Sequence, residues 1–459
     1  MLRFFIALWG AKFAAWVYKI IGRPNDLPGV LAVKICPDFL ERIAKPKLVV
    51  TVTGTNGKTT TSHIVYNMLT SQGKKVSFNK GGANASAGFC LNLMRGVNIF
   101  NRPKVDASVL EADEKTLAES MSKIRPQYIL VTNVCKDTLR RNAHPEYIFE
   151  CIHNAFSILG ESVTAILNAN DPISSRLTEN TGARTLYYGF TDIKSEPFDN
   201  IVKDITMCPY CAQDVKFNYR IYRHIGSFYC PDCGWHMPES DFYAKAVDFE
   251  KRVMTVTEKG RDTDYPLISG SIFNAFNVLS VIALFRALGY SEKTLIDFLS
   301  TQRITRIRED VVRYNDIDYY TYSAKGQNSS AVSTVFEYLV KEPSKKVLVF
   351  CLDELQDKNH PLETVTWLYE TDCEFLQSDN ITQIVVAGHM YLNHKLRLLL
   401  AGIPEEKIVA VEDARDVPDA VNTKGAQSVY ILFDVDNVSE AFEWRDAIVN
   451  AAKRKNGEA

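Results

Sequence analysis

The chain has 459 residues, 46% of them hydrophobic and 24% charged, a balance of ordinary globular proteins with two or three domains. Its net charge of −2 gives no global electrostatic basis for binding nucleic acid, and no internal repeat or low-complexity tract is evident. Of the ten cysteines, four are paired as Cys208-x-x-Cys211 and Cys230-x-x-Cys233 and the rest are scattered in mostly apolar contexts; this usage excludes a disulfide framework and predicts a cytoplasmic protein.

Residues 1–23 read MLRFFIALWGAKFAAWVYKIIGR. Lys12 breaks the apolar run and no small-residue cleavage site follows cleanly, which argues against a secretory signal. The run is also too short to span a bilayer. An amphipathic helix fits better, with Lys12 and Lys19 on one face and Arg3 and Arg23 flanking it. It either packs on the protein's own core or lies in a membrane interface, the second option placing the chain at the inner face of the membrane. Pro24 to Pro28 marks a turn, and 29–45 predicts a short helix leading to a strand at 47–53.

That strand ends in the most informative stretch of the chain, VVTVTGTNGKTTT (49–61). Gly54, Thr55, Asn56 and Gly57 form a loop whose backbone N–H groups can turn toward anionic oxygens. Lys58, Thr59 and Thr60 then open a helix whose N-terminus favours phosphate. Lys58 supplies a point charge for the β/γ-phosphates, and the Thr59 hydroxyl can ligate Mg²⁺. Gly54 and Gly57 are separated by two residues, shorter than the general P-loop spacing.

Strands and helices then alternate: a helix at 62–73, and strands at 74–79, 108–113, 128–134 and 165–171. The pattern predicts a mostly parallel, doubly wound sheet, in which ligands gather at the carboxyl ends of the strands. Polar residues cluster there. Glu111, Asp113 and Glu114 suit Mg²⁺, directly or through water. Asn168, Asn170 and Asp171 serve either nucleotide or substrate, or a turn with local hydrogen bonds. The loop NKGGANASAG (79–88) is a second, weaker glycine-containing candidate for covering phosphates.

Residues 200–245 interrupt the alternation with the array C-x2-C-x18-C-x2-C. Each pair can grip a metal from a tight turn, and four thiolates at Cys208, Cys211, Cys230 and Cys233 suit structural Zn²⁺ with no open position for catalysis. A hairpin follows at 242–260, then an apolar helix at 273–289. Asn274 and Asn277 begin that helix, as caps or as contacts for adenine. After a boundary near 304–316, strands at 345–354, 383–388, 407–413 and 428–434 predict a second α/β domain. Asp353, Glu354 and Asp357 follow its strand at 345–352, where acids suit orienting or acid–base work.

The short form G-T-N-G-K-T resembles the loop of the Mur ligase and folylpolyglutamate synthase group. Together with N-K-G-G-A-N (79–84), LEADE (110–114), VTNVCKD (131–137), ILNANDP (166–172), the cysteine array and FNAFN (273–277), it resembles the MurT family, the Mur-ligase-like subunits of lipid II isoglutaminyl synthase. The resemblance implies a Mur-ligase-like central P-loop domain over 47–312 with a zinc-ribbon insertion at 200–245. An N-terminal helical segment (1–46) precedes it, and a Rossmann-like α/β domain (313–459) follows. It also implies an ATP-dependent carbon–nitrogen ligase that activates the D-glutamate α-carboxylate of the lipid II stem peptide, with ammonia from a GatD-type glutamine amidotransferase in a heterodimer. ATP, Mg²⁺ and Zn²⁺ are the implied cofactors. Lys58 and Thr59 would serve the phosphates and Mg²⁺, Glu111 the metal, and Asn274 and Asn277 the adenine. The family's D-G-x-D-x-S-W-x-W-D stretch is altered here to DELQDKNHPLETVTWLYETDCEF (353–375). Trp367 is in place, and Asp357, followed by Glu363, stands as the candidate acid for completing the partner's catalytic machinery. SAKGQN (323–328) matches a further family loop only loosely. An amino-acid-adding ligase of the Mur or folylpolyglutamate type, and a non-catalytic ATP-binding scaffold, are the alternatives.

Overall fold

The computed structural model describes residues 1–22, 26–79, 84–137, 144–195, 198–302, 309–324, 328–352, 365–434 and 438–455. The chain forms two compact units. The first comprises 1–136, 144–197 and 204–303; the second comprises 137–143, 198–203 and 304–459.

The first unit is built on a nine-stranded sheet. Its strands are β1 (Leu48–Thr53), β2 (Val76–Phe78), β3 (Ala107–Glu111), β4 (Tyr128–Val131), β5 (Thr164–Asn168) and β6 (Arg184–Phe190). After a separate hairpin, β7 (Lys216–Tyr222) and β8 (Ile225–Tyr229), come β9 (Phe242–Asp248), β10 (Val253–Glu258) and β11 (Arg261–Pro266). The order is β11-β10-β9-β6-β5-β4-β1-β3-β2. Every pairing from β2 to β9 is parallel, and β10 and β11 add an antiparallel edge. β1 is buried almost throughout, as expected for a β-branched strand covered on both faces. On one face Val49, Leu110, Ile129 and Leu167 pack with Phe4, Phe39 and Phe89 from the helices.

Register positions the site. Val52 pairs with Glu111, and Thr53 pairs with Val131. The exits of β1, β3 and β4 therefore lie side by side at the carboxyl edge of the sheet, where ligands bind in such folds.

The second unit has six strands: β12 (Glu309–Tyr314), β13 (Ile317–Ser323), β14 (Lys346–Cys351), β15 (Ile381–Ala387), β16 (Ile408–Val411) and β17 (Ser428–Phe433). Their order is β12-β13-β17-β14-β15-β16, parallel except for the β12–β13 hairpin. Alternation along β14 builds both halves of the core. Leu348 and Phe350 meet Val332, Phe336 and Leu339 of the helix Ser329–Lys341. Val347 and Val349 meet Trp444 and Ile448 of the helix Val438–Lys455. The predicted doubly wound α/β architecture is observed in both units.

Candidate active site and metal centre

The loop 54–57 turns the chain from β1 into the helix Lys58–Ser71. Gly54 (φ +116°) and Gly57 (φ +87°) occupy backbone conformations that side chains resist. Space is equally restrictive. A Cβ on Gly54 would sit 2.4 Å from Thr132 Oγ1, and one on Gly57 would sit 2.5 Å from Asn277 Oδ1. The first N–H groups of the following helix have no partners within it and point from its positive dipole end.

The segment after β4 braces this loop. Thr55 N donates to Asn133 O (2.8 Å). Thr55 Oγ1 donates to Cys135 O and accepts from Cys135 N, both at 3.1 Å. Asn133 exchanges two bonds with the Asn56 backbone, at 3.2 and 3.0 Å, and Thr132 Oγ1 donates to Asn56 O (2.6 Å). Thr55, predicted to contact ligand, is thus buried and committed to the fold through its hydroxyl. What it supplies is the loop backbone it holds in place.

Lys58 Nζ donates to Gly54 O and forms an ion pair with Glu114 Oε1 at 2.7 Å. Burial pushes the Glu114 carboxyl up, and the Lys58 ammonium opposes that rise. Thr59 Oγ1 donates to Glu111 Oε1 (3.0 Å), and Ser62 Oγ, one turn along the same helix face, donates to Glu111 Oε2 (3.3 Å). Asn79 clamps the Glu111 backbone with two bonds, at 2.8 and 2.9 Å. Glu111 and Thr59 therefore present hard oxygen donors side by side, the set Mg²⁺ takes. Asn277 lies against Gly57, and its amide donates to Asn274 Oδ1 (3.4 Å), while Asn274 Nδ2 donates to Ser269 Oγ (2.8 Å); Asn277 is thus the predicted asparagine that borders the loop. Thr60 is half-buried in the helix's first turn.

Asn168, Asn170 and Asp171 are fully buried and serve the fold. Asn170 exchanges bonds of 2.6 and 3.0 Å with the Phe190 backbone. Asp171 accepts from Val134 N (2.7 Å) and Ile173 N (2.9 Å). The turn reading applies to these residues. Asp353, Glu354, Asp357 and Glu363, and residues 80–83 of the loop 79–88, lie outside the described residues.

Sequence reasoning missed Ser62, the Lys58–Glu114 pairing and the Thr132–Cys135 brace. Ser62 had a signal: with Thr59 it places two hydroxyls at i, i+3 of a helix. The brace had none, because it depends on which strand neighbours β1.

The four cysteines converge in two similar turns. Ala212 N donates to Cys208 O (2.9 Å) and Gly234 N to Cys230 O (3.1 Å). All four sulfurs lie within 4.8 Å of one another, so the cluster can hold a metal ion. Cys230 falls to about 7, chiefly because the Cys233 N–H favours its thiolate. At Cys211 the Gln213 N–H acts the same way, but burial and the neighbouring sulfurs outweigh it and raise the thiol to about 12. Trp235 packs on Tyr210 and Phe228 beside the cluster.

The β7–β8 hairpin carries the cluster on one end and inserts its turn, Arg223–His224, into the sheet unit. His224 Nδ1 lies 2.9 Å from Asp204 Oδ2, and Nε2 lies 3.3 Å from Asp171 Oδ1 and 3.1 Å from Val134 O. Arg223 also pairs with Asp204 (2.8 Å). Burial alone would lower the His224 pKa; Asp204 and Asp171 outweigh it and raise it to about 9.

Two family models match the chain: the Mur ligase middle domain over residues 52–209 and the MurT ligase C-terminal domain over 326–435. Among curated proteins, the chain is 27% identical over 429 residues to the MurT subunit of lipid II isoglutaminyl synthase (glutamine-hydrolyzing) from Staphylococcus aureus, covering 92% of this chain and 94% of that one. The Streptococcus pneumoniae counterpart is 24% identical, with 93% of each chain covered. The chain thus carries a Mur ligase middle domain and a MurT ligase C-terminal domain, and is similar to MurT subunits over nearly its whole length. Solved structures agree on the Mur ligase fold. A pseudomurein peptide ligase type C from Methanothermus fervidus superposes with a TM-score of 0.66 at 19% identity, covering 90% of this chain and 81% of that one. Thermotoga maritima MurF, solved in complex with ADP, gives 0.59 at 18% identity, covering 92% and 85%. Mur ligases are ATP-dependent and use Mg²⁺.

Proposed function

We propose that the chain is the ATP-dependent synthetase subunit that activates the α-carboxylate of D-glutamate in the lipid II stem peptide for conversion to isoglutamine. The observation that carries this reading is the grouping of a phosphate loop, Lys58, Thr59 and Glu111 at one sheet edge, in a chain similar to MurT subunits over nearly its whole length.

The chemistry follows from the reactants. A carboxylate is a poor electrophile. Attack of its oxygen on the γ-phosphorus, with cleavage of the bond to the β-phosphate oxygen, gives an acyl phosphate and ADP. Ammonia then adds to the acyl carbon, and phosphate leaves as hydrogen phosphate, taking the proton that the nitrogen gives up. The loop amides and Lys58 hold the transferring phosphoryl group, Lys58 exchanging Glu114 for a phosphate oxygen. Thr59 and Glu111 would hold Mg²⁺, which neutralises phosphate charge when bound. Asn274 and Asn277 would face the adenine. Zn²⁺ fits the four-thiolate cluster as a closed structural site. The ammonia would come from a GatD-type glutamine amidotransferase, with Asp357 as the candidate residue coupling the two. Domain limits of 47–312 and 313–459, with the insertion at 200–245, go with this reading, as does a cytoplasmic location.

The test is an assay with ATP, Mg²⁺, lipid II and ammonium chloride, read by mass spectrometry for exchange of hydroxyl for amide. Amidated lipid II with ammonium, and none with glutamine until the amidotransferase is added, is expected. Glutamine hydrolysis by this chain alone, or turnover stimulated strongly by one amino acid instead of ammonium, overturns the reading.

A further inference from the structure

The helix Leu2–Ile20 has two apolar faces. Phe4, Ala7, Leu8 and Ala11 are buried in the first unit, with Phe4 against Phe39 at 5.2 Å. Opposite them, Leu2, Ile6, Trp9, Phe13, Trp16 and Ile20 are each between 49% and 74% exposed. At 3.6 residues per turn these six fall within about 80° of arc, so they make one continuous stripe.

The stripe is extended and framed. Trp9 Nε1 donates to Ile99 O (2.9 Å), which fixes the turn carrying Ile99 and Phe100, 55% and 68% exposed, beside the helix. Arg3 and Lys19 are exposed on either side of the stripe, and Arg102 and Lys104 belong to the adjoining turn. No acidic residue occurs before Asp26. Lys12 turns the other way and donates to Met94 O (2.6 Å) and Val97 O (2.8 Å).

A large exposed apolar patch marks a binding surface, and its chemistry selects the partner. Tryptophan and phenylalanine beside apolar residues, on a helix that carries cations and no acid, complement the interface of an anionic bilayer. No described helix is long and apolar enough to cross a membrane. We infer that this helix and the Ile99–Phe100 turn dock the protein, lying flat, on an anionic membrane surface. The inference goes beyond the ligase reading and stands on the surface alone; for a lipid-linked substrate, docking would confine enzyme and substrate to one plane.

Sedimentation of the full chain with phosphatidylglycerol vesicles, without ATP, tests it. Binding that exceeds that to phosphatidylcholine, weakens with salt, and blue-shifts tryptophan emission is expected. Phe13→Glu with Trp16→Glu should weaken partitioning by about tenfold or more per ring removed from the interface, while Phe13→Leu with Trp16→Phe retains most of it. Circular dichroism and ATP binding, measured without vesicles, check folding and report on the ligase site separately. Absence of vesicle binding, binding unchanged in the glutamate variant, or a dimer that this variant abolishes in the absence of vesicle binding overturns the inference.

Discussion

Lys58→Ala removes the cation that Glu114 faces inside the protein. ATP turnover should fall by about 100-fold or more, because one preorganised charge at a transferring phosphoryl group is worth that much. Stability should fall as well, by about 3 kcal/mol, since the buried Glu114 carboxylate loses the cation it pairs with at 2.7 Å. Adding Glu114→Gln should restore much of the melting temperature and none of the turnover, which separates the two roles of the lysine. Gly54→Ala tests the loop itself. Its φ of +116° and the close approach of Thr132 predict a loss of about 2 kcal/mol or more, with nucleotide affinity lost along with it, measurable by calorimetry.

The β7–β8 hairpin links two such sites as one element. Cys208→Ser should remove one of four sulfurs, drop bound metal well below one ion per chain by elemental analysis, and lower thermal stability. The hairpin's turn should also impose a pH dependence. His224 is raised to about 9, so its stabilisation is complete below about 6.5, its ordinary value, and is lost as pH rises through 9. Asp204 is held well below the usual carboxylate range: burial works against this, but Arg223 and His224 outweigh it. Its contribution is present above about 4 and is lost as pH falls. Denaturant unfolding should therefore weaken from pH 6.5 to 9 in wild type, while His224→Asn is weaker at pH 6 and flatter above it. Legibility in the sequence divides along the same line. The glycine loop and the cysteine pairs were readable because their chemistry is local, a few residues apart along the chain. Thr55 and Cys135 are eighty residues apart, and His224 and Asp171 meet only through the folded insertion. Asn170 and Asp171 were ambiguous because a strand-end carboxylate or amide satisfies backbone groups as well as it binds ligands.

At the scale of the whole molecule, the second unit draws on sequence from inside the first. Asp372, buried at 1% exposure, accepts from Asn200 Nδ2 (2.9 Å) and Ile201 N (2.5 Å). A fragment beginning at residue 313 lacks both donors and leaves a buried carboxylate unsatisfied, which costs about 1–3 kcal/mol or more. Such a fragment should melt well below the second unit in the intact chain, and Asp372→Asn should recover part of that loss by removing the uncompensated buried charge. The brace between the nucleotide loop and the segment after β4 has its own long-range consequence. Val134 donates to Asp171 and accepts from His224, while its neighbours Asn133 and Cys135 hold Asn56 and Thr55. The amide protons of Thr55, Val134 and Cys135 thus belong to one cooperative opening unit with the cysteine-bearing hairpin, so stripping the metal should speed deuterium uptake in the phosphate loop without any ligand being present.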